Sequence, residues 1–189
     1  IYFGTTNDGL VSGKVYAVDL ATGGVKPGWP IETGGPSSSI ASSVGVGGSF
    51  LYAVNEAGEL YRIALDGSSV TKITQLAPTG IYGAPFHVPT GNCLIISSNA
   101  GKVYRVNAAT GGIDWAVDLE SPSVPIENRG SVYVGSGDHA LYELSLATGA
   151  KTAHKIIPSV VGDPVVDVIY NRIYLGGGNG KIYAFGLPL

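Results

Sequence analysis

The 189-residue sequence has no methionine, a single cysteine and only 13% charged residues. With one cysteine no disulfide can form within the chain, and the apolar run Cys93-Leu94-Ile95-Ile96 predicts a buried thiol rather than a reactive one. No apolar run approaches the length of a transmembrane helix, so no membrane span is predicted. The net charge of −3 and the absence of Lys- or Arg-rich runs argue against nucleic acid as a partner.

Glycine and proline are abundant, with 29 and 11 residues, and they separate short alternating apolar segments along the whole chain. This distribution is typical of short strands joined by tight turns. One pattern occurs five times: an aliphatic or aromatic run, a polar turn, and a second alternating run that contains tyrosine. The tyrosines of the second run lie 45, 43, 38 and 41 residues apart, which is the length of a four-stranded propeller blade. They are Tyr16, Tyr61, Tyr104, Tyr142 and Tyr183.

The repeat predicts an all-β fold, a β-propeller of four-stranded antiparallel blades. We label the strands of a blade A to D from the propeller axis outwards. The chain then begins at strand B of one blade and ends at strand C of another, which gives 18 strands in one domain, residues 1–189, with blade boundaries near 1–33, 34–77, 78–120, 121–159 and 160–189. Two blades lack a strand each. We expect a longer parent chain or a partner to supply these strands, or the repeats to belong to a six- to eight-bladed ring.

Three repeats share a turn signature that ends in Thr-Gly, and two tryptophans, Trp29 and Trp115, occupy one repeat position. The signatures are Asp19-Leu20-Ala21-Thr22-Gly23, Asn107-Ala108-Ala109-Thr110-Gly111 and Ser145-Leu146-Ala147-Thr148-Gly149. Together with Gly112-Ile113-Asp114-Trp115, they resemble the tryptophan-containing repeat of PQQ-type quinoprotein β-propellers. The resemblance covers essentially the whole chain.

The resemblance implies the fold more strongly than an activity, because similar blades occur in quinone-dependent dehydrogenases and in non-enzymatic surface or assembly proteins. The dehydrogenases hold a quinone with Ca²⁺, a ring of adjacent cysteines and a stacking tryptophan. This sequence departs from that pattern, since it has one cysteine and both tryptophans are in the repeat position. We therefore expect no cofactor, and assign no catalytic, cofactor-binding or metal-binding residue.

The three histidines, His87, His139 and His154, lie in different repeats without the spacing of a metal site. His139 is unusual because it occupies a turn in which other repeats have glycine. The first B–C loop is enlarged, and its Asn7-Asp8-Gly9 offers oxygens for a cation. It lacks regular acidic spacing, however, and the same tripeptide is a common turn sequence.

In a four-stranded meander the B–C loops and the D–A connections emerge at the same end of the blade. This predicts a binding face that contains Asp8, Glu56, Glu120, Asp138, His139 and Asp163. The opposite end receives Arg129, Lys151 and Arg172 together with Asp19 and Asp66. We hypothesise that the acidic face attracts a basic partner or a cation; an ordinary solvated rim remains the alternative.

The sequence favours a non-catalytic binding or scaffold propeller of a secreted, periplasmic or cell-surface protein, with a protein or carbohydrate partner. The resemblance carries most of this extracytoplasmic assignment, and the low charge and lack of methionine agree with it. The alternative is a fragment of a quinone-dependent dehydrogenase or of a polysaccharide-active propeller enzyme.

Overall fold

The computed structural model describes residues 1–6, 13–35, 38–76, 80, 82–159 and 161–189. These residues form eighteen β-strands and no helix, so the all-β prediction is confirmed for them. The strands are β1 Tyr2–Gly4, β2 Lys14–Ala17, β3 Ile31–Glu32, β4 Gly45–Gly47, β5 Phe50–Val54, β6 Glu59–Ala64, β7 Val70–Gln75, β8 Phe86–Val88, β9 Cys93–Ser98, β10 Lys102–Asn107, β11 Ile113–Asp118, β12 Ile126–Asn128, β13 Ser131–Ser136, β14 Ala140–Ser145, β15 Lys151–Ile156, β16 Val165–Asp167, β17 Arg172–Gly176 and β18 Ile182–Gly186.

The strands form five antiparallel meanders in chain order. Sheet 1 contains β1–β3, sheet 2 β4–β7, sheet 3 β8–β11, sheet 4 β12–β15 and sheet 5 β16–β18. Sheets 2 to 4 have strands A to D, whereas sheet 1 begins at strand B and sheet 5 ends at strand C. The predicted strand order is therefore confirmed.

Turn chemistry accounts for the C–D hairpins. In the first, the Asp19 carboxylate accepts hydrogen bonds from the backbone N–H groups of Ala21 and Thr22, at 3.0 and 2.9 Å. Asn107 makes the same two contacts in sheet 3, both at 3.0 Å. The glycine that closes each turn has a positive φ, 71° at Gly23 and 77° at Gly111, a conformation that other residues adopt at a cost.

In sheets 2 to 4 the two faces of strand C pack against different neighbouring sheets, because side chains alternate along a strand. Tyr61 packs with residues of sheet 1, and the residue before it, Leu60, packs with residues of sheet 3. The same alternation holds for the tyrosines of sheets 3, 4 and 5, which all face the preceding sheet. The repeated tyrosines thus lie on strand C of successive sheets, and Tyr16 has the corresponding position on β2 of sheet 1.

Four apolar cores join neighbouring sheets along the chain, from sheet 1 to sheet 5. None of these cores, among the residues that the structure describes, joins sheet 5 to sheet 1. Strands A lie innermost, where β4 contacts β8, and β12 contacts both β8 and β16. Gly47 permits the close approach of β4 and β8, since a Cβ at this position would collide with the His87 ring.

The two tryptophans contact the C–D turn of the following sheet. The Trp115 indole N–H donates a hydrogen bond of 2.9 Å to the carbonyl of Leu146, in the C–D turn of sheet 4. Trp29 is 8% exposed, and its indole nitrogen lies close to Gly67, in the C–D turn of sheet 2. Each ring therefore covers the corresponding turn of the following sheet. The lone cysteine is buried and free, as predicted.

Candidate functional site

One end of the sheets is formed by the B–C loops and the D–A connections, which hydrogen-bond to one another. Glu56, in the B–C loop of sheet 2, donates its backbone N–H to the Ser39 carbonyl at 2.9 Å and accepts from the N–H of Gly80 at 3.0 Å. In sheet 4, the Gly137 N–H donates to the Glu120 carbonyl at 2.6 Å. We call this end the loop face; its described residues are 5–6, 13, 33–35, 38–44, 55–58, 76, 80, 82–85, 99–101, 119–125, 137–139, 157–159, 161–164 and 177–181.

The opposite end carries the A–B and C–D turns, which are also tied together by one repeated hydrogen bond. The Leu65 N–H donates to the Ser49 carbonyl at 3.1 Å in sheet 2, and the Leu146 N–H donates to the Gly130 carbonyl at 2.9 Å in sheet 4. Arg129, Lys151 and Arg172 lie at this end, as do Asp19 and Asp66.

The structure places four of the predicted acidic residues on the loop face: Glu56, Glu120, Asp138 and Asp163. Asp8, and with it most of the enlarged first B–C loop, lies outside the described residues. The histidine predicted with them, His139, is next to Asp138 in the B–C loop of sheet 4. The predicted set therefore spans loops from sheet 2 to sheet 5.

Four acidic side chains away from the loop face form ion pairs with neighbouring cations. Ion pairs join Glu32 to Lys14 at 3.4 Å, Glu59 to Lys72 at 2.9 Å, Asp114 to Arg105 at 2.8 Å and Asp118 to Lys102 at 2.5 Å. Within the described part of the chain, none of the four acids of the loop face takes part in an ion pair. Lys155 and Lys181 lie on the outermost strand of sheet 4 and just before β18, and the charge of Lys151 contributes to lowering the pKa of Asp138.

Asp138 is held in place by the tyrosine of its own repeat. The Tyr142 hydroxyl donates a hydrogen bond of 2.6 Å to Oδ2 of Asp138. Partial burial raises the pKa of Asp138, but hydrogen bonds from Tyr142, Ser136 and the backbone of Ala140 outweigh it, and the pKa lies below its ordinary value. The carboxylate is thus charged and oriented at neutral pH.

His139 has a backbone conformation that favours glycine. Its φ is 65°, and the equivalent residues of the other sheets are Gly58, Gly101 and Gly180, with φ of 81°, 94° and 76°. A left-handed conformation costs a non-glycine residue about 1 kcal/mol. The imidazole is exposed on the loop face, and His139 follows Asp138 directly in the sequence.

A cleft of about 280 Å³ opens where successive D–A connections converge. Asp163 lies at its edge, and its Oδ1 accepts a hydrogen bond of 2.8 Å from the Val124 N–H of the neighbouring connection. The sequence predicts Asp163 at this end but not the other polar lining residues, because they come from segments far apart in the chain. The lining comprises Ser42, Tyr82, Gly83, Ser97, Asn99, Pro122, Ser123, Val124 and Asp163.

The other two histidines lie apart from this face. The His87 ring stacks on Tyr52 with centroids 5.9 Å apart, and its Nε2 is 3.1 Å from Oδ1 of Asn92. His154 stacks on Tyr142 at 5.7 Å. The described residues contain no cluster of three His, Cys, Asp or Glu side chains suited to a metal ion. They also contain no helix long and apolar enough to cross a membrane.

Two family models match the chain. A repeat of unknown function matches residues 2–117, and the model described as outer membrane protein assembly factor BamB matches residues 68–187. No curated protein matches the sequence.

Solved structures share the fold at low sequence identity. The crystal structure of BamB from Moraxella catarrhalis matches with a TM-score of 0.77 and 17% identity, over 98% of this chain and 54% of that one. The computationally designed protein Ika8 matches with a TM-score of 0.73 and 14% identity, over 97% and 57% of the two chains. The designed Ika4 matches with a TM-score of 0.67 and 14% identity, over 80% and 93%. The chain thus spans about half the length of BamB.

Proposed function

Because the chain belongs to the PQQ-like β-propeller repeat family, we propose that it is a non-catalytic scaffold that binds a protein partner on its loop face, outside the cytoplasm. The BamB name describes an assembly factor for outer membrane proteins, and it supports both the scaffold role and the location. The five repeats would act as one domain, residues 1–189.

The observation that carries the proposal is the charge of the loop face. Four carboxylates lie on it without a paired cation among the described residues, whereas four of the nine described acids elsewhere form ion pairs. The loops that carry them are fixed by repeated backbone hydrogen bonds, so little conformational freedom is lost on binding. This arrangement suits a partner with a basic surface, since complementary charge accelerates encounter and fixes orientation.

The test uses a fluorescent peptide of alternating lysine and glycine as a minimal basic probe. We expect the native chain to bind it with an affinity that falls as salt rises, because the attraction is screened over about 10 Å at 0.1 M salt. The triple variant E56Q/E120Q/D138N removes three charges from the loop face with little change of shape. We expect this variant to bind the peptide at least about tenfold more weakly, because each exposed charge contributes roughly 0.5 kcal/mol to the binding free energy.

The matched control removes three acidic charges from the opposite end, in the variant D19N/D66N/D167N. Asparagine keeps the oxygen that accepts the turn hydrogen bonds at these positions, so the turns are preserved. Both triple variants have the same net charge. A comparable loss of binding in both would show a non-specific charge effect and would overturn the proposal, as would peptide binding unchanged by the loop-face variant.

The quinone-dependent alternative has its own readout. Titration of the chain with PQQ in the presence of Ca²⁺ should leave the cofactor absorbance unchanged and support no dye reduction. A saturable spectral shift together with dye reduction would favour the enzyme and contradict a purely binding role.

A further inference from the structure

The cleft on the loop face contains a buried hydroxyl group that the fold itself does not use. Ser97, on β9, lines the cleft and is only 2% exposed. None of the side-chain hydrogen bonds formed between described residues involves its Oγ, although buried hydroxyl groups normally have a partner. This hydroxyl group is therefore available to a ligand that enters the cleft.

Gly83, in the connection between sheets 2 and 3, leaves the space beside this hydroxyl group open. A Cβ at Gly83 would come within 2.6 Å of Ser97 Oγ and within 3.2 Å of Val124 Cγ2. Both neighbours line the cleft, so a side chain at position 83 would fill the space between them. The Gly83 N–H donates to the Ser97 carbonyl at 2.8 Å, which fixes the spacing of the two segments. Glycine thus keeps the cleft open at Ser97.

Two other polar groups of the lining retain lone pairs that can accept hydrogen bonds. Asp163 accepts from the Val124 N–H through Oδ1, and no hydrogen bond among the described residues uses its Oδ2. Ser42 Oγ donates to the Ser43 carbonyl and keeps its own lone pairs. The described lining residues include one carboxylate and no cation. A ligand group with several donors and a positive charge complements this lining, and an ammonium group has both.

The size and shape of the cleft favour a small aliphatic ammonium group over a sugar. Its volume of about 280 Å³ lies just below the range of pockets for drug-sized ligands, about 300–1,000 Å³. The aromatic residue of the lining, Tyr82, is 2% exposed, so its ring offers no face on which a sugar could stack. Pro122 and Val124 supply apolar groups that suit the methylene chain of a lysine side chain.

We propose that the cleft binds the ammonium group of a lysine side chain of the partner, with the Asp163 carboxylate and the Ser97 hydroxyl group as acceptors. This inference rests on the proposed function, a basic partner on the loop face, and identifies where on that face one lysine is bound. The residues that line the cleft belong to sheet 3 and to connections between neighbouring sheets, so the site does not involve the outer faces of sheets 1 and 5.

The test is a titration of the ¹⁵N-labelled chain with n-butylammonium chloride, an analogue of the lysine side chain, at constant ionic strength. Amide chemical shifts in the NMR spectrum report where the probe binds. We expect saturable shifts at Gly83, Ser97 and Val124 and in the side-chain amide of Asn99, because these groups line the cleft. Tetramethylammonium has the same charge but no N–H donor, and it should cause no saturable shift at these positions.

Two variants each remove one proposed acceptor with little change of shape. Asp163→Asn keeps an oxygen for the Val124 N–H but loses the charge, and should bind butylammonium at least about threefold more weakly. Ser97→Ala removes the unused hydroxyl group, and should weaken binding about threefold without loss of stability. The matched control is Asp167→Asn at the opposite end, where Oδ1 also accepts from backbone N–H groups; it should bind like the native chain. Unchanged amide shifts away from each substitution verify folding.

A native chain without saturable shifts at the cleft would overturn the inference, as would equal shifts with tetramethylammonium or unchanged binding in both acceptor variants. This failure is distinguishable from failure of the proposed function, because the triple variant E56Q/E120Q/D138N leaves every residue of the cleft intact. If butylammonium does not bind but the triple variant still weakens the lysine–glycine peptide, the basic partner stands and the cleft does not hold its lysine. Butylammonium binding that both acceptor variants weaken, with peptide binding that the triple variant leaves unchanged, would support the cleft and overturn the role of the loop-face charge.

Discussion

Leu141 and Ile182 occupy the same place in successive repeats, immediately before the strand-C tyrosine, but only Leu141 is covered by a following sheet. Leu141 is 0% exposed and packs in the core between sheets 4 and 5. Ile182 is 81% exposed. Truncating each side chain to alanine therefore makes a similar chemical change in two environments that differ in burial.

The expected losses of unfolding free energy follow from that burial. Leu141→Ala removes buried methyl and methylene groups and leaves a cavity, which costs about 2–5 kcal/mol. Ile182→Ala removes groups that are already in water, and only the lower strand preference of alanine remains, below about 1 kcal/mol. The two variants should thus differ by at least about 1 kcal/mol.

Urea denaturation followed by tryptophan fluorescence measures both values. Trp115 is a suitable reporter because it bridges sheets 3 and 4. Equal destabilisation by the two substitutions would refute the assignment of sheet 5 as a sheet with an uncovered face. A loss below about 1 kcal/mol for Leu141→Ala would refute the packing of the repeat itself.

Three further predictions concern single positions. Gly111→Ala should lower the unfolding free energy by about 1–3 kcal/mol more than Gly23→Ala, as measured by thermal unfolding. Both glycines have a positive φ, but a Cβ at Gly111 would collide with the Ile73 carbonyl, whereas a Cβ at Gly23 meets no atom. Hydrogen bonds from Asn55, Lys72 and Tyr61 hold the pKa of Glu59 below its ordinary value of 4.5, although burial acts in the opposite direction. The ionised Glu59 therefore stabilises the folded chain fully above pH 4.5, and this stabilisation is lost as the pH falls through the lower pKa of the folded state. Glu59→Gln should therefore be less stable than the native chain in urea at pH 7, and the gap should narrow in strong acid; a gap independent of pH would contradict this. His139→Gly should stabilise the chain by about 0.5–1 kcal/mol in the same assay, because glycine adopts the left-handed conformation without strain, and a destabilised variant would show that the imidazole makes contacts that outweigh it.

The strands and their order are predictable from the sequence because they depend on local patterns. The alternation around Tyr104 and the Asn107 turn, for example, each act within a few residues. The sequence also predicts which ends of the sheets share a face, since a meander alternates direction at every turn. The acids Glu56 and Asp138 lie in the expected loops for that reason.

The cleft could not be predicted in the same way. Ser42 and Asp163, from two D–A connections, and Asn99, from a B–C loop, line the same cleft, and this depends on how successive sheets pack rather than on any local pattern. The exposure of one face of sheet 5 could not be predicted from the sequence either. Ile182 has the same sequence context as Val103, and only the three-dimensional neighbours distinguish a buried residue from an exposed one.

The central claim is that the chain binds a basic protein surface through its loop face. Hydrogen–deuterium exchange of the chain with and without the lysine–glycine peptide tests it most directly, because it maps the contact without any substitution. We predict slower exchange in the loop-face segments 55–58, 137–139 and 161–164, and no change in the turns 18–24 and 64–69 at the opposite end. Protection confined to those opposite turns, or spread equally over both ends, would contradict the claim.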